Sequence, residues 1–270
     1  GVFAFLRVFF AFAFAAANTS PIGFAQTTVA AWPTKPIKLM VPYAAGGPAD
    51  VVARELALVL SADLKQTVTV ENQGGGMGVP ALGVVTRADP DGHTLLLAAF
   101  GNMVLQPMLS KRGGADLVAK LRPVSTISTG PHVLVVSAKL PVKNISELID
   151  YARANPGKVS FASAGTGGTA HLGMEMFKAL SKTDVLHVPY KGSAGAVNDL
   201  ISGEVSAMFS SLPSLQGLAD KGMVKVLAAT APSKSAATKS LPLISTSLPG
   251  FDYTTWYAMY APLATPKPIV

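Results

Sequence analysis

The feature that most constrains this chain is a regular alternation along its length. Short apolar runs of strand length are each followed by a turn marked by glycine or proline, and then by a stretch with helical spacing of apolar residues. Residues 37–42 form such a run, and Gly46, Gly47 and Pro48 lead into a helical stretch with Val51, Val52, Leu56, Val59 and Leu60 on one face. Pro48 suits the first helical position, where its missing N–H costs nothing. A strand at 67–70, a glycine-rich turn at 74–78, a short helix through Val85 and a strand at 93–98 follow. After Pro123 the rhythm resumes, with strands expected at 133–136, 158–162, 185–188, 205–209 and 224–229. Helices are expected between them at 145–154 (capped by Asn144 or Ser146), 168–181, 193–202 and 212–221. Alternation of this kind predicts an α/β fold of mostly parallel sheets with helices on both faces. The two βα series predict two lobes, 32–124 and 125–229, with 230–270 returning to the first lobe.

The first 31 residues stand apart. Arg7 is the only charge before Lys35, and it precedes an apolar run, residues 8–17, of the length of a signal-peptide core and too short for a membrane span. Residues 1–31 therefore read as an export signal, with cleavage expected after Ala25 and Ala31 as the second choice. The chain contains no cysteine, which excludes disulfides, thiolate metal sites and a thiol nucleophile. Its net charge of +7 is spread without a Lys/Arg run or interleaved aromatics, so no nucleic-acid partner is expected. The sequence stops abruptly after Thr265-Pro266-Lys267-Pro268-Ile269-Val270, which reads as a truncated C-terminus.

Two turns have the makings of anion cradles. Tyr43-Ala44-Ala45-Gly46-Gly47-Pro48-Ala49-Asp50 follows the strand at 37–42, and Ser163-Ala164-Gly165-Thr166-Gly167-Gly168-Thr169 follows the strand at 158–162. Glycine lets a backbone approach a ligand closely, and the free N–H groups at a helix start favour carboxylate or phosphate. One turn falls in each expected lobe, so a ligand gripped between them is one reading; ordinary tight turns are the other. Asp50 is placed to orient the first loop by accepting its N–H groups, or simply to complement the helix dipole. Thr166 and Thr169 serve as hydroxyl donors or as caps. Tyr190, Lys191, Ser210 and Ser211 follow strands at the same sheet edge and offer further polar groups. Trp256 is a candidate pocket wall or a core residue.

Catalytic constellations are weak. There is no P-loop, no complete dinucleotide fingerprint and no G-x-S-x-G elbow. His171 and Glu175 lie four apart on one expected helix, but no third metal ligand accompanies them, and His93, His132 and His187 sit isolated in apolar surroundings. Anion cradles without a nucleophile and base beside them favour binding over turnover, with no cofactor and no metal.

At these same positions the chain resembles the periplasmic substrate-binding proteins of tripartite tricarboxylate transporters, the Bug family, from Trp32 to Val270. The resemblance is carried by the segments 41–50, 70–73 (Val70-Glu71-Asn72-Gln73), 89–95, 140–148, 162–171, 187–193 and 256–262, in that order. It implies a two-lobed venus-flytrap fold, a periplasmic location, a ligand of the small carboxylate class, and delivery to a separate pair of membrane transporter subunits by a monomeric receptor. It further implies ligand contact by Tyr43–Asp50 and Ala164–Thr169, with His171, Tyr190, Lys191, Ser210, Ser211 and Trp256 around them. The sequence departs from the family pattern at Ser210-Ser211, where an acidic residue or Asn is common, which predicts a less charged wall. Two other readings are a ligand-sensing subunit of a signalling system and an α/β hydrolase or transferase using His171 or Ser163.

Overall fold

The computed structural model describes residues 32–109 and 114–270. The export-signal expectation, with its cleavage after Ala25 or Ala31, lies outside the described residues. In chain order the elements are β1 (Ile37–Val41), α1 (Pro48–Leu64), β2 (Val68–Asn72), α2 (Val79–Thr86), β3 (Thr94–Ala99), α3 (Gln106–Leu109), α4 (Gly114–Val118) and β4 (Leu121–Pro131). They continue with β5 (Val133–Ser137), α5 (Ile145–Ala154), β6 (Ser160–Ser163), α6 (Thr169–Ser181), β7 (Leu186–Pro189), α7 (Ser193–Ser202), β8 (Ala207–Ser210), α8 (Leu212–Asp220), β9 (Val224–Ala229) and β10 (Thr254–Pro262).

The strands form two five-stranded sheets, ordered β2-β1-β3-β10-β4 and β7-β6-β8-β5-β9, one in each of two lobes. Both sheets are mixed. β1 runs parallel to β2 and β3, and β6 parallel to β7 and β8. β10 is antiparallel to β3 and β4, and β5 is antiparallel to β8 and β9. The expectation of mostly parallel sheets is thus corrected, and the cause is the path of the chain between lobes. β4 of the first sheet passes straight into β5 of the second with only His132 between them, so β5 enters its sheet from the other lobe and runs against β8 and β9. β10 likewise re-enters the first sheet from the second lobe. Residues 125–131, expected to open the second lobe, continue β4 along the edge of the first sheet.

Burial on both faces explains why the central strands are unbroken apolar runs. Along β5, Leu134 and Val136 join a cluster with Phe161, Phe177, Phe209 and Phe251, whereas Val133 and Val135 face Leu200, Met208 and Leu215. In the first lobe Leu39, Val41 and Leu97 pack under α1, and Met40, Leu96 and Ala98 face α2. Neighbouring side chains on a strand point to opposite faces, so a strand covered on both sides needs apolar residues at every position.

The inter-lobe crossings are tied together. The His132 N–H donates to Thr230 Oγ1 (2.9 Å), the Thr230 N–H donates to the His132 carbonyl (2.9 Å), and the Thr230 hydroxyl donates to the Tyr253 carbonyl (2.8 Å). His132 links β4 to β5, Thr230 follows β9 and Tyr253 precedes β10, so three passing segments meet at one point.

Candidate ligand-binding cleft

Three helices begin at the same cleft, and none has a side-chain cap. The N-cap positions of α1, α6 and α7 are Gly47, Gly168 and Gly192, which offer no oxygen to the first-turn amides. A helix start leaves up to four N–H groups without intrahelical partners, and its dipole adds partial positive charge there. Gly47, Ala49, Gly168, Thr169, Ala170 and Ser193 line an inner cleft. Within the described residues the amides of Gly47, Ala49, Thr169 and Ala170 find no protein acceptor, so they are available to an anion.

Other amides of the two loops are used to hold the loops themselves, and in the first loop Asp50 is the acceptor. The Gly46 N–H donates to Asp50 Oδ2 (2.9 Å), which also accepts from Arg54 Nε (2.9 Å). Burial works against the Asp50 charge, but these bonds outweigh it and hold the carboxyl below its ordinary range. In the second loop the Gly165 N–H donates to Ser163 Oγ (3.1 Å) and the Gly167 N–H donates to His171 Nδ1 (3.1 Å). Ser163 Oγ also lies 2.6 Å from His187 Nε2, and the rings of His187 and His171 stack at 4.1 Å. Burial, and then the neighbouring His171, push His187 down to about 4; burial also lowers His171. Both rings are therefore neutral at pH 7, and His171 can accept the Gly167 N–H.

The lobes meet through glycines. A Cβ on Gly101 would lie 3.0 Å from the Gly167 carbonyl oxygen and 3.0 Å from Gly168 Cα. One on Gly74 would lie 2.6 Å from the Lys191 carbonyl oxygen and 2.8 Å from Ala44 N, and one on Gly192 2.6 Å from Ala44 Cβ. Backbone against backbone at these separations requires the absence of a side chain.

The remaining candidates divide between this cleft and its surroundings. Tyr43, Ala49, Ala164, Gly168, Thr169 and Ser210 line the inner cleft. Gly165, Thr166, Gly167, Tyr190 and Lys191 line an adjoining outer compartment, together with Gly75–Gly78 and Asn102. Ala44, Ala45, Gly46 and Asp50 shape the first loop from behind, and His171 braces the second. Ser211 is the N-cap residue of α8, with its hydroxyl 3.2 Å from Ser214 Oγ. Trp256 is displaced from the cleft. It packs edge-on against Phe100 with centroids 6.2 Å apart and lines a groove with Pro123 and Thr129, because the two-residue period of β10 sends Tyr257 to the cleft instead.

Sequence reasoning missed Tyr257, Ser193, Phe209, Ala99, His132 and Ala170 in the inner cleft. Ser193 carries a legible signal, since it follows Gly192 at a strand-to-helix turn. His132 carries none, because its place depends on where the chain crosses between lobes. Among the described residues, no Asp, Glu, Lys or Arg lines the inner cleft. Burial raises the hydroxyl pKa of Tyr43 and Tyr257, so both remain protonated, and burial lowers His132 to about 4. A carboxylate there would meet neutral donors and helix dipoles. Among the described residues no group of three His, Asp or Glu is arranged to hold a metal.

A family model described as the tripartite tricarboxylate transporter family receptor matches residues 52–270. The chain belongs to this family. Its sequence is 36% identical over 245 residues to the UPF0065 protein in the tcbD-tcbE intergenic region of Pseudomonas sp. (strain P51), covering 89% of this chain and 72% of that relative. Among solved structures it is similar to the periplasmic binding protein BugD (TM-score 0.82, 36% identity, 88% of this chain and 80% of that one). It is also similar to R. palustris Rpa4515 with adipate (TM-score 0.84, 32% identity, 88% and 80% coverage). As a member of this receptor family, the chain is a binding protein rather than an enzyme. Ser163 is buried, and its Oγ accepts from the Gly165 N–H within its own loop while lying beside His187 Nε2.

Proposed function

We propose that this receptor works in the periplasm, captures a small carboxylate in the inner cleft and presents it, lobes closed, to the membrane subunits of a tripartite transporter. The observation that carries the reading is the convergence of the uncapped starts of α1, α6 and α7 on one cleft, with the amides of Gly47, Ala49, Thr169 and Ala170 unused by the protein. The relative solved with adipate supports the ligand class.

The two lobes are taken to be 32–131 and 133–229, with the remainder returning to the first, and His132 and Thr230 as the points about which they close. A ligand that touches both lobes has higher affinity for the closed form, and that difference is what drives closure. The receptor acts as a monomer and needs no cofactor. Titration calorimetry against a panel of mono-, di- and tricarboxylates and aromatic acids tests the reading. Saturable one-to-one binding of at least one panel member is expected, and heat from none of them would contradict it.

A further inference from the structure

His132 is a buried histidine with one ring nitrogen committed and the other facing the cleft. It is 4% exposed and lines the inner cleft beside Phe209 and Ser210. Its main chain is pinned on both sides by Thr230, and its Nδ1 lies 3.2 Å from the Tyr253 hydroxyl. No hydrogen bond to Nε2 is found among the described residues, and Nε2 is absent from the fully enclosed unpartnered atoms, so it keeps surface towards the cleft.

The tautomer follows from the partner. Tyr253 sits among Phe209, Phe251 and His132, and burial holds its hydroxyl pKa well above the ordinary value. The hydroxyl keeps its hydrogen and finds no acceptor among the described residues other than His132 Nδ1. Leaving a buried donor unmade is costly, so the satisfied arrangement is O–H donating to Nδ1, which puts the ring proton on Nε2. Nε2–H is then the uncommitted donor of a side chain that lines the inner cleft, where no charged side chain is found among the described residues.

Its position also sets a length. In the second sheet β8 lies between β6 and β5, so His132 at the start of β5 is about 10 Å along the sheet edge from the loop that follows β6. A four-carbon diacid with a hydrogen bond of about 2.9 Å at each end spans a comparable distance.

Resting on the carboxylate reading above, we infer that His132 is a specificity-determining residue: its Nε2–H, aimed by Tyr253, donates to a second oxygen-bearing end of the ligand while the helix starts hold the first carboxylate. The preferred ligands are then short molecules with an oxygen acceptor at each end, and an alkyl end at His132 leaves the donor unsatisfied.

The probes are succinate and butyrate, which share a four-carbon chain and differ in the far carboxylate. Calorimetry on the unmodified protein should give at least tenfold tighter binding of succinate, and His132→Phe, which keeps the volume and removes the donor, should erase that preference. Nitrogen NMR of ring-labelled histidine tests the same point without a variant. The free protein should show His132 with the proton on Nε2, and that nitrogen should shift on adding succinate and not on adding butyrate. A proton on Nδ1, equal affinity for the two acids in the unmodified protein, or an unchanged ratio in a folded His132→Phe protein would overturn the inference alone. Failure of the unmodified protein to bind any carboxylate of the panel would overturn both the inference and the reading beneath it.

Discussion

The start of α5 and the starts of α1, α6 and α7 solve the same problem in opposite ways. At α5 the Asn144 side chain accepts from the Glu147 N–H (2.9 Å), and Glu147 reaches back to accept from the Lys143 N–H (2.7 Å). That reciprocal cap satisfies the orphan donors locally and contributes stability. At α1, α6 and α7 glycine stands at the N-cap, and no side chain closes the turn. Helix ends left open in this way, with glycine at the cap, give up only a small stabilisation, roughly a few tenths of a kcal/mol each. What they retain is a set of donors aimed at one cleft. The difference between a helix start built for stability and one built for binding is legible in which residue occupies the cap.

Substitutions can separate the two kinds of helix start. The largest effect is expected from Gly101→Val, because even a Cβ there meets the backbone of Gly167 and Gly168. Affinity for succinate should fall by a hundredfold or more while the melting temperature changes little, as read by calorimetry and thermal denaturation. Gly47→Val should cost less, about tenfold. The backbone at Gly47 is extended with φ −89°, and a Cβ would make only ordinary contact with Ser193 at 3.6 Å, so the loss comes from the branched methyls crowding the cleft.

Asn144→Ala should do the reverse. Removing the cap should lower stability by about 1 kcal/mol in denaturant unfolding and leave affinity unchanged. A fall in affinity there would break the distinction.

The histidines predict a pH dependence. His132 and His187 have folded-state values of about 4, below the ordinary 6.5, so the unfolded chain binds more protons between those limits. Stability should therefore fall as pH drops from 6.5 towards 4. Protonation of His171 at Nδ1 would also remove the acceptor for the Gly167 N–H. Urea unfolding at successive pH values measures the slope, and no loss of stability across this window would contradict it. The smallest effect is expected for Lys191→Ala. Lys191 is exposed and belongs to the outer compartment, so the affinity for succinate should change by less than threefold.

Much of the fold is written in local patterns. Residues 145–154 and 224–229 carry their helix and strand in apolar spacing and cap residues, and the structure has those elements with the same limits. β4 escaped because it is an edge strand rich in Ser and Thr, flanked by Pro123 and Pro131, so only one face carries a weak apolar signal. β10 escaped because its partners are remote in sequence, and Trp256 and Tyr257 are sorted to opposite faces only once its register against β3 and β4 is set. The glycine loops were legible as strand-to-helix turns with exposed helix starts because glycine there has a local physical meaning. Which of their amides stay free was not, since that depends on Asp50, Ser163 and His171 turning inward to hold the loops.

The central claim is that an anion is held by backbone donors at open helix starts. Amide proton and nitrogen shifts recorded during a succinate titration test it directly. The Gly47, Ala49, Thr169 and Ala170 amide protons should move downfield together with saturation, while the capped Glu147 amide stays still. Shifts confined to the outer compartment around Lys191, with those four amides unmoved, would contradict the account.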